Sequence, residues 1–419
     1  MQPIRLLRGF LTVGVWTFAS RIFGFIRDIL IASVMGTGPV AEAFLMAFAL
    51  PNMFRRFFAE GAFNMAFVPM FSKKVEACDD AEGFARDAMM GLGAILVVFT
   101  VLAVVFMPVL VFAMASGFAG DERFALAVLY GRICFVYILF ISLAALLSGV
   151  LNATGRFAAA AAAPVLLNII LITLLVVGGR NGAPIFGLDA GLGEGRRAGD
   201  ILTIGVVIAG FAQLALLFGA ARRAGFTFRP RWPRMTPDLK RLAIIAAPAA
   251  LAGGVVQINL LVGRQVASFF DGAIAWLSYA DRLYQLPLGV VGIAIGIVLL
   301  PSLSRKLQAG DAEGGQNAFN RAGEMALALT IPAAIALAVI PVPLVRTLFE
   351  RGAFEASDTA ATALAVAVYG AGLPAFVLQK VLQPVFFARE DTKRPFYYAL
   401  VALAVNAVVA IGLAPFLGF

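Results

Sequence analysis

The sequence has no histidine, two cysteines and three tryptophans, and only 14% of its 419 residues are charged. The missing imidazole excludes histidine-based catalysis, metal ligation and proton relay. Cys78 falls in a loop and Cys134 in an apolar run, so the two are not expected to pair. The glycine-rich stretch GLDAGLGEG at 187–195 lacks the strand–turn–helix context of a phosphate loop and reads as an external loop. No cofactor and no metal is expected. Scarcity of charge also excludes an ordinary soluble domain, which is about 25% charged.

Apolar sequence fills the space instead. Hydrophobic residues make up 61% of the chain and the mean hydropathy is +0.93. A membrane helix needs about 20 mainly apolar residues. Such runs lie near 10–36, 42–71, 88–115, 124–150, 158–179, 201–220, 242–263, 272–303, 322–345, 358–387 and 395–417. The expected fold is an all-α polytopic membrane protein with about 11 spans. A barrel would show short alternating strands instead. Pro51, Pro287 and Pro374 fall inside long runs and are expected to kink or break them. Arg5 and Arg8 precede a long first span, which is unlike a cleavable signal peptide.

Well over half of the 33 basic residues cluster in alternate loops, among them Lys73, Lys74, Arg222, Arg223, Arg234, Lys240 and Arg241. The positive-inside rule places those loops, and the N-terminus, in the cytoplasm. The formal net charge of +9 then reports loops near anionic membrane lipid rather than a nucleic-acid partner.

An internal repeat divides the chain. FVPMFSKKVEACDDAEG at 67–83 is echoed by LLPSLSRKLQAGDAEGG at 299–315, and VFMPVLV at 105–111 by VIPVPLV at 339–345. Asn168 and Asn406 occupy comparable positions in the fifth and eleventh spans. Two six-span lobes in the same orientation follow, the parallel-repeat design of transporters that rock about a central site. The boundaries expected are 1–220 for an N-lobe (spans 1–6), 221–241 for a basic linker, and 242–419 for a C-lobe (spans 7–11). The repeat's logic calls for a twelfth span after the eleventh.

Charges inside these spans are costly, about 2.5–3.5 kcal/mol each at a helix centre on insertion scales. The first two spans nevertheless carry Arg21, Arg27, Asp28, Arg55, Arg56 and Glu60, and the eighth carries Asp281 and Arg282. Helical spacing pairs Arg21 with Asp28 and Arg56 with Glu60. Arg27 is rotated about 100° from Asp28 and Arg55 is offset from Glu60. Arg282, adjacent to Asp281, is the corresponding cation of the other lobe. A guanidinium fork suits phosphate and cannot deprotonate. Arg21, Arg27, Arg55 and Arg282 are therefore the candidate residues for an anionic substrate. Locking the helices together is the competing role. Lys380 fits either cavity lining or snorkelling to an interface.

Three stretches carry a resemblance: SRIFGFIRD at 20–28, PNMFRRFFAEGAFNMAFVP at 51–69, and YADRLYQLPLGVVGIAIGIVLLPSLS at 279–304. The chain resembles the MurJ/MviN family of lipid II flippases in the MOP transporter superfamily. The resemblance runs from residue 5 to the end. It implies a two-lobed transporter of the bacterial plasma (inner) membrane and no enzyme activity. It implies flipping of lipid II, the undecaprenyl-diphosphate-linked peptidoglycan precursor, by alternating access. Arg21, Arg27, Arg55 and Arg282 match the family's cavity arginines, and Glu42 stands where the family has an acidic residue early in the second span. The partners implied are lipid II, membrane lipids and the cell-wall synthesis machinery. The family has fourteen spans, the last two forming a groove for the lipid tail. A sodium site is not expected, since 242–263 has no acidic residue. Three alternatives remain open: a flippase for other undecaprenyl-diphosphate oligosaccharides, a multidrug or organic-cation antiporter, and a non-transporting cell-wall scaffold.

Overall fold

A computed structural model describes residues 3–55, 63–179, 184–186, 195–227, 232–294, 311–388 and 393–417. Arg56 and Glu60, and so their expected pairing, lie outside these residues, as does most of the second copy of the repeat motif at 299–315. Every regular element among the described residues is helical. The chain divides into two compact units, Met1–Asp271 and Gly272–Phe419.

The first unit contains α1 (Pro3–Met35), α2 (Pro39–Arg55), α3 (Asn64–Glu76), α4 (Ala81–Val105), α5 (Met107–Met114), α6 (Glu122–Cys134), α7 (Tyr137–Ala153), α8 (Phe157–Gly178), α9 (Arg196–Arg223) and α10 (Pro237–Ala267). Helix α1 packs on α8, α8 on α9, α2 on α6, and α7 on α9. Phenylalanines fill the contacts. Phe67 stacks on Phe71 and Phe84 with ring centroids 5.5 and 5.4 Å away, and Phe54 meets Phe99 and Phe135 edge-on, those two rings being tilted against each other. Other faces stay apolar yet exposed, as at Val98, Val101, Val105, Val109 and Val177. Exposed runs of this kind are stable against lipid and not against water.

The second unit contains α11 (Ala273–Ala294), α12 (Ala312–Val339), α13 (Pro341–Phe349), α14 (Ala356–Ala388) and α15 (Lys393–Leu417). Helix α14 packs against α11, α12 and α13. Tyr279, Phe349 and Phe354 form its aromatic centre. Outside the spans, Glu350 accepts from the Thr359 hydroxyl at 2.7 Å and pairs with Arg346 at 3.2 Å. The Thr359 hydrogen bond is the main cause holding its carboxyl below the ordinary value.

Seven helices among the described residues are long and apolar enough to cross a membrane. The protein is a multi-pass membrane protein. The apolar runs match helices closely, with refinements. Run 124–150 is divided at Phe135–Val136. Runs 88–115 and 322–345 are divided at Phe106 and at Ile340. The cause is proline: Pro108 and Pro341 lack an N–H to continue the ladder and instead open short helices at their first turn. By contrast Pro51, Pro287 and Pro374 sit inside helices that continue through them. At Pro51 the Asn52 amide donates to the Phe48 carbonyl at 2.8 Å, beside the carbonyl that proline leaves without its usual donor.

The repeat is visible in local structure. Asp80 caps α4 by accepting from Gly83 N–H at 3.0 Å, and Asp311 caps α12 by accepting from Gly314 N–H at 2.8 Å. A Cβ on either glycine would collide with the capping carboxylate. Each capped helix then ends at the proline-opened break.

Two clamps tie α10 to the rest of its unit. At one end Lys74 bridges Asp79 and Asp238 at 2.8 and 3.0 Å, and Thr227 donates twice to Glu82. Hydrogen bonds to Asp79 and Asp238 raise the Lys74 pKa, so the ammonium stays charged. At the other end Ser116 N–H donates to Gln265 Oε1 at 3.1 Å and Gly117 N–H to Ser268 Oγ at 3.0 Å. A Cβ at Gly117 would overlap the Ser268–Phe269 backbone.

Asp80→Ala and Asp311→Ala should each cost about 1 kcal/mol, the usual worth of an N-cap. The measurement is the melting temperature of the purified protein; a loss for one alone would refute an equivalent role. Gly117→Ala should cost about 1–3 kcal/mol by overpacking. An unchanged melting temperature would show that this contact yields freely.

Candidate functional site

Arg27 lies on α1 and is only 7% exposed. Its Nε and Nη2 both donate to Asp28 Oδ1, at 2.9 and 2.7 Å. Its Nη1 donates to Asn168 Oδ1 at 2.9 Å. Asn168 comes from α8 and also donates to the Ser20 carbonyl at 3.1 Å. Gly24 lies one turn before Asp28 and beside Asn168, where an added Cβ would meet the amide at 3.5 Å, an ordinary contact. The guanidinium also lies 5.9 Å from the Phe48 ring centroid on α2. One side chain thus joins three helices.

This corrects the spacing argument, which set Arg27 apart from Asp28. Neighbouring residues do point about 100° apart at Cβ. A long side chain folds back across that angle, and in an apolar bundle the nearest carboxylate is worth the detour. Arg27 has five N–H donors, and the three bonds to Asp28 and Asn168 leave one N–H on each Nη.

The other candidates are distributed. Arg21 is exposed on α1, and Arg55 is half-buried at the end of α2. Arg282 is half-buried on α11 in the second unit. Asp281 accepts a hydrogen bond from Gln285, one turn further on. Lys380 is exposed, its ammonium 5.5 Å from the Phe376 ring centroid.

Glu42 belongs to a separate cluster. It is fully buried at the start of α2, about 20 Å along the helix from Arg55. Arg123 Nη1 pairs with it at 2.9 Å. The same guanidinium reaches Asp121 and, at 2.8 Å, Asp271, and lies 4.6 Å from the Phe118 centroid. A third buried arginine, Arg196, pairs with Asp200 at 3.1 Å beside the Tyr130 ring. Asp200 also accepts from the Tyr130 hydroxyl at 2.7 Å and from the Ile185 and Phe186 N–H groups. Sequence reading put Arg123 and Arg196 in loops. The four-residue spacing of Arg196 and Asp200 was an available signal; nothing local announces Glu42–Arg123, 81 residues apart.

No group of histidine, cysteine and acidic residues among the described residues is arranged to hold a metal ion.

The profile of the lipid II flippase MurJ family matches residues 31–419. A probable lipid II flippase MurJ of Rhizobium tropici is 47% identical over 416 residues, covering 98% of this chain and 76% of the relative. Another, from Rickettsia prowazekii, is 35% identical over 96% of this chain and 77% of its own length. Among solved structures, lipid II flippase MurJ in an inward closed conformation superposes with a TM-score of 0.79 at 26% identity, covering 96% of this chain and 81% of that one. An inward-facing MATE-family multidrug transporter of the MOP superfamily shares the fold, with a TM-score of 0.71 at 15% identity over 94% of this chain and 86% of that one. The chain, a helical multi-pass membrane protein, belongs to the lipid II flippase MurJ family.

Proposed function

We propose that this protein flips lipid II across the bacterial plasma membrane by alternating access, with its N-terminus in the cytoplasm. The observation that carries this reading is the family match across residues 31–419, shared with relatives named for that substrate. Flipping makes and breaks no covalent bond, so the absence of histidine costs the function nothing.

Arg21, Arg27 and Arg55 of the first unit and Arg282 of the second are the residues proposed to bind the diphosphate and acidic groups. The local geometry at Arg27 supports its part. Asp28 and Asn168 hold the guanidinium plane while one N–H on each Nη remains for a phosphate oxygen. Charge-assisted bonds of this kind are worth about 1.5–3 kcal/mol each. Arginine stays protonated throughout the physiological range, so the site keeps its charge. Glu42, held by Arg123, is proposed to stabilise the bundle that carries these residues. Membrane potential would bias any step that moves one net charge by about 2.3 kcal/mol per 100 mV.

Transport of fluorescent lipid II by the protein reconstituted in vesicles tests this. Arg27→Ala and Arg282→Ala should each slow flipping by about tenfold or more, the equivalent of one lost charged hydrogen bond. Unchanged flipping in both variants would sink the assignment. Arg27→Lys should also lose most activity, because an ammonium cannot span Asp28, Asn168 and a phosphate together. Full activity of that variant would reduce Arg27 to a simple positive charge. Efflux of an organic cation in place of lipid II would favour the antiporter reading.

A further inference from the structure

The connection from α9 to α10 has a composition unlike the rest of the chain. Residues 222–241 contain seven arginines and lysines and one acid, Asp238. The structure engages that acid: Asp238 faces Lys74, while Glu82 takes both donors of Thr227. The segment is thus clamped at Thr227 and at Asp238. Between the clamps Trp232 is 89% exposed and Met235 73% exposed. Arg222, Arg223, Arg234, Lys240 and Arg241 are exposed on either side of them.

The topology rule accounts for the arginines and lysines, since cations collect on the cytoplasmic side. It does not account for an indole and a thioether held out from the protein among them. An apolar ring with a polar N–H, beside several cations, matches the headgroup–acyl boundary of an anionic leaflet. The segment joins the ends of two long helices, α9 and α10, of a membrane-embedded unit. We propose an interfacial anchor in this connection: Trp232 and Met235 insert at the membrane surface and Arg222, Arg223, Arg234, Lys240 and Arg241 engage anionic phospholipid headgroups. The clamps engage the carboxylates of Asp238 and Glu82 with Lys74 and Thr227, away from the exposed cations. This reading does not depend on what the protein transports.

Tryptophan fluorescence of the full chain in vesicles tests it. Lipids with brominated acyl chains are used, as phosphatidylcholine alone or with phosphatidylglycerol. The difference between the unchanged protein and Trp232→Phe isolates Trp232 from Trp16 and Trp276. That difference should be quenched by the brominated chains and shielded from aqueous acrylamide. Phosphatidylglycerol should deepen the quenching by about twofold. Replacing Arg222, Arg223, Arg234, Lys240 and Arg241 together by glutamine should abolish the deepening. A Trp232 signal open to acrylamide and untouched by brominated lipid overturns the anchor and points to a soluble partner or none. Equal quenching in both vesicles overturns the assignment of anionic headgroups. Position 232 is on the surface, so the Trp232→Phe protein is expected to fold.

Discussion

A guanidinium placed in an apolar bundle has to be paired with a carboxylate and hydrogen-bonded, and Arg27 shows how that constraint shapes the packing of α1. Its charge is met by Asp28, its third donor by Asn168, and one face by the Phe48 ring. Removing a partner from such a group leaves a buried, unmatched charge, which costs more than the pair contributes when intact. The packing of α1 against α8 therefore cannot be separated from the chemistry of Arg27. Asn168 is held by both ends of its amide, accepting from Arg27 and donating to the Ser20 carbonyl of the same helix α1.

The same solution occurs three times in the first unit. Arg27, Arg123 and Arg196 are each buried, each joined to a carboxylate, and each laid near an aromatic ring. The ring covers a face of the guanidinium that hydrogen bonds cannot reach, since all five donors lie in its plane. The partners come from different distances along the chain. Asp28 is adjacent, Asp200 one turn away, and Glu42 81 residues distant. They join α1 to α8, secure the start of α9, and join α2 to α6.

Much of this was legible in the sequence, because lipid imposes a simple code. An apolar run of sufficient length is a helix, and the runs at 158–179 and 395–417 agree with Phe157–Gly178 and Lys393–Leu417 to within two residues. The repeat was legible through paired motifs, and the capping aspartates and proline-opened helices bear it out locally. Helical spacing failed at Arg27, because it describes where Cβ points and not where a long side chain ends. Prolines act according to where they stand. Those inside long runs are accommodated, while Pro108 and Pro341, which drew notice only as repeat markers, divide helices. Asn168 was noticed as a repeat position and not as a partner, since a contact across 141 residues leaves no local trace.

The adjacency of Arg27 and Asp28 has a consequence for biosynthesis. Membrane helices are delivered to the bilayer in the order in which they are translated. Helix α8 carries Asn168 and emerges long after α1 has been committed. A cation waiting for a distant carboxylate would spend that interval unneutralised in the membrane or its translocation channel. Because Asp28 is the next residue, its carboxylate is within reach of Arg27 as soon as both are translated, and Asn168 arrives later to orient the guanidinium. Arg123 has the opposite history: it follows Glu42 in the chain, so the carboxylate is the partner that waits.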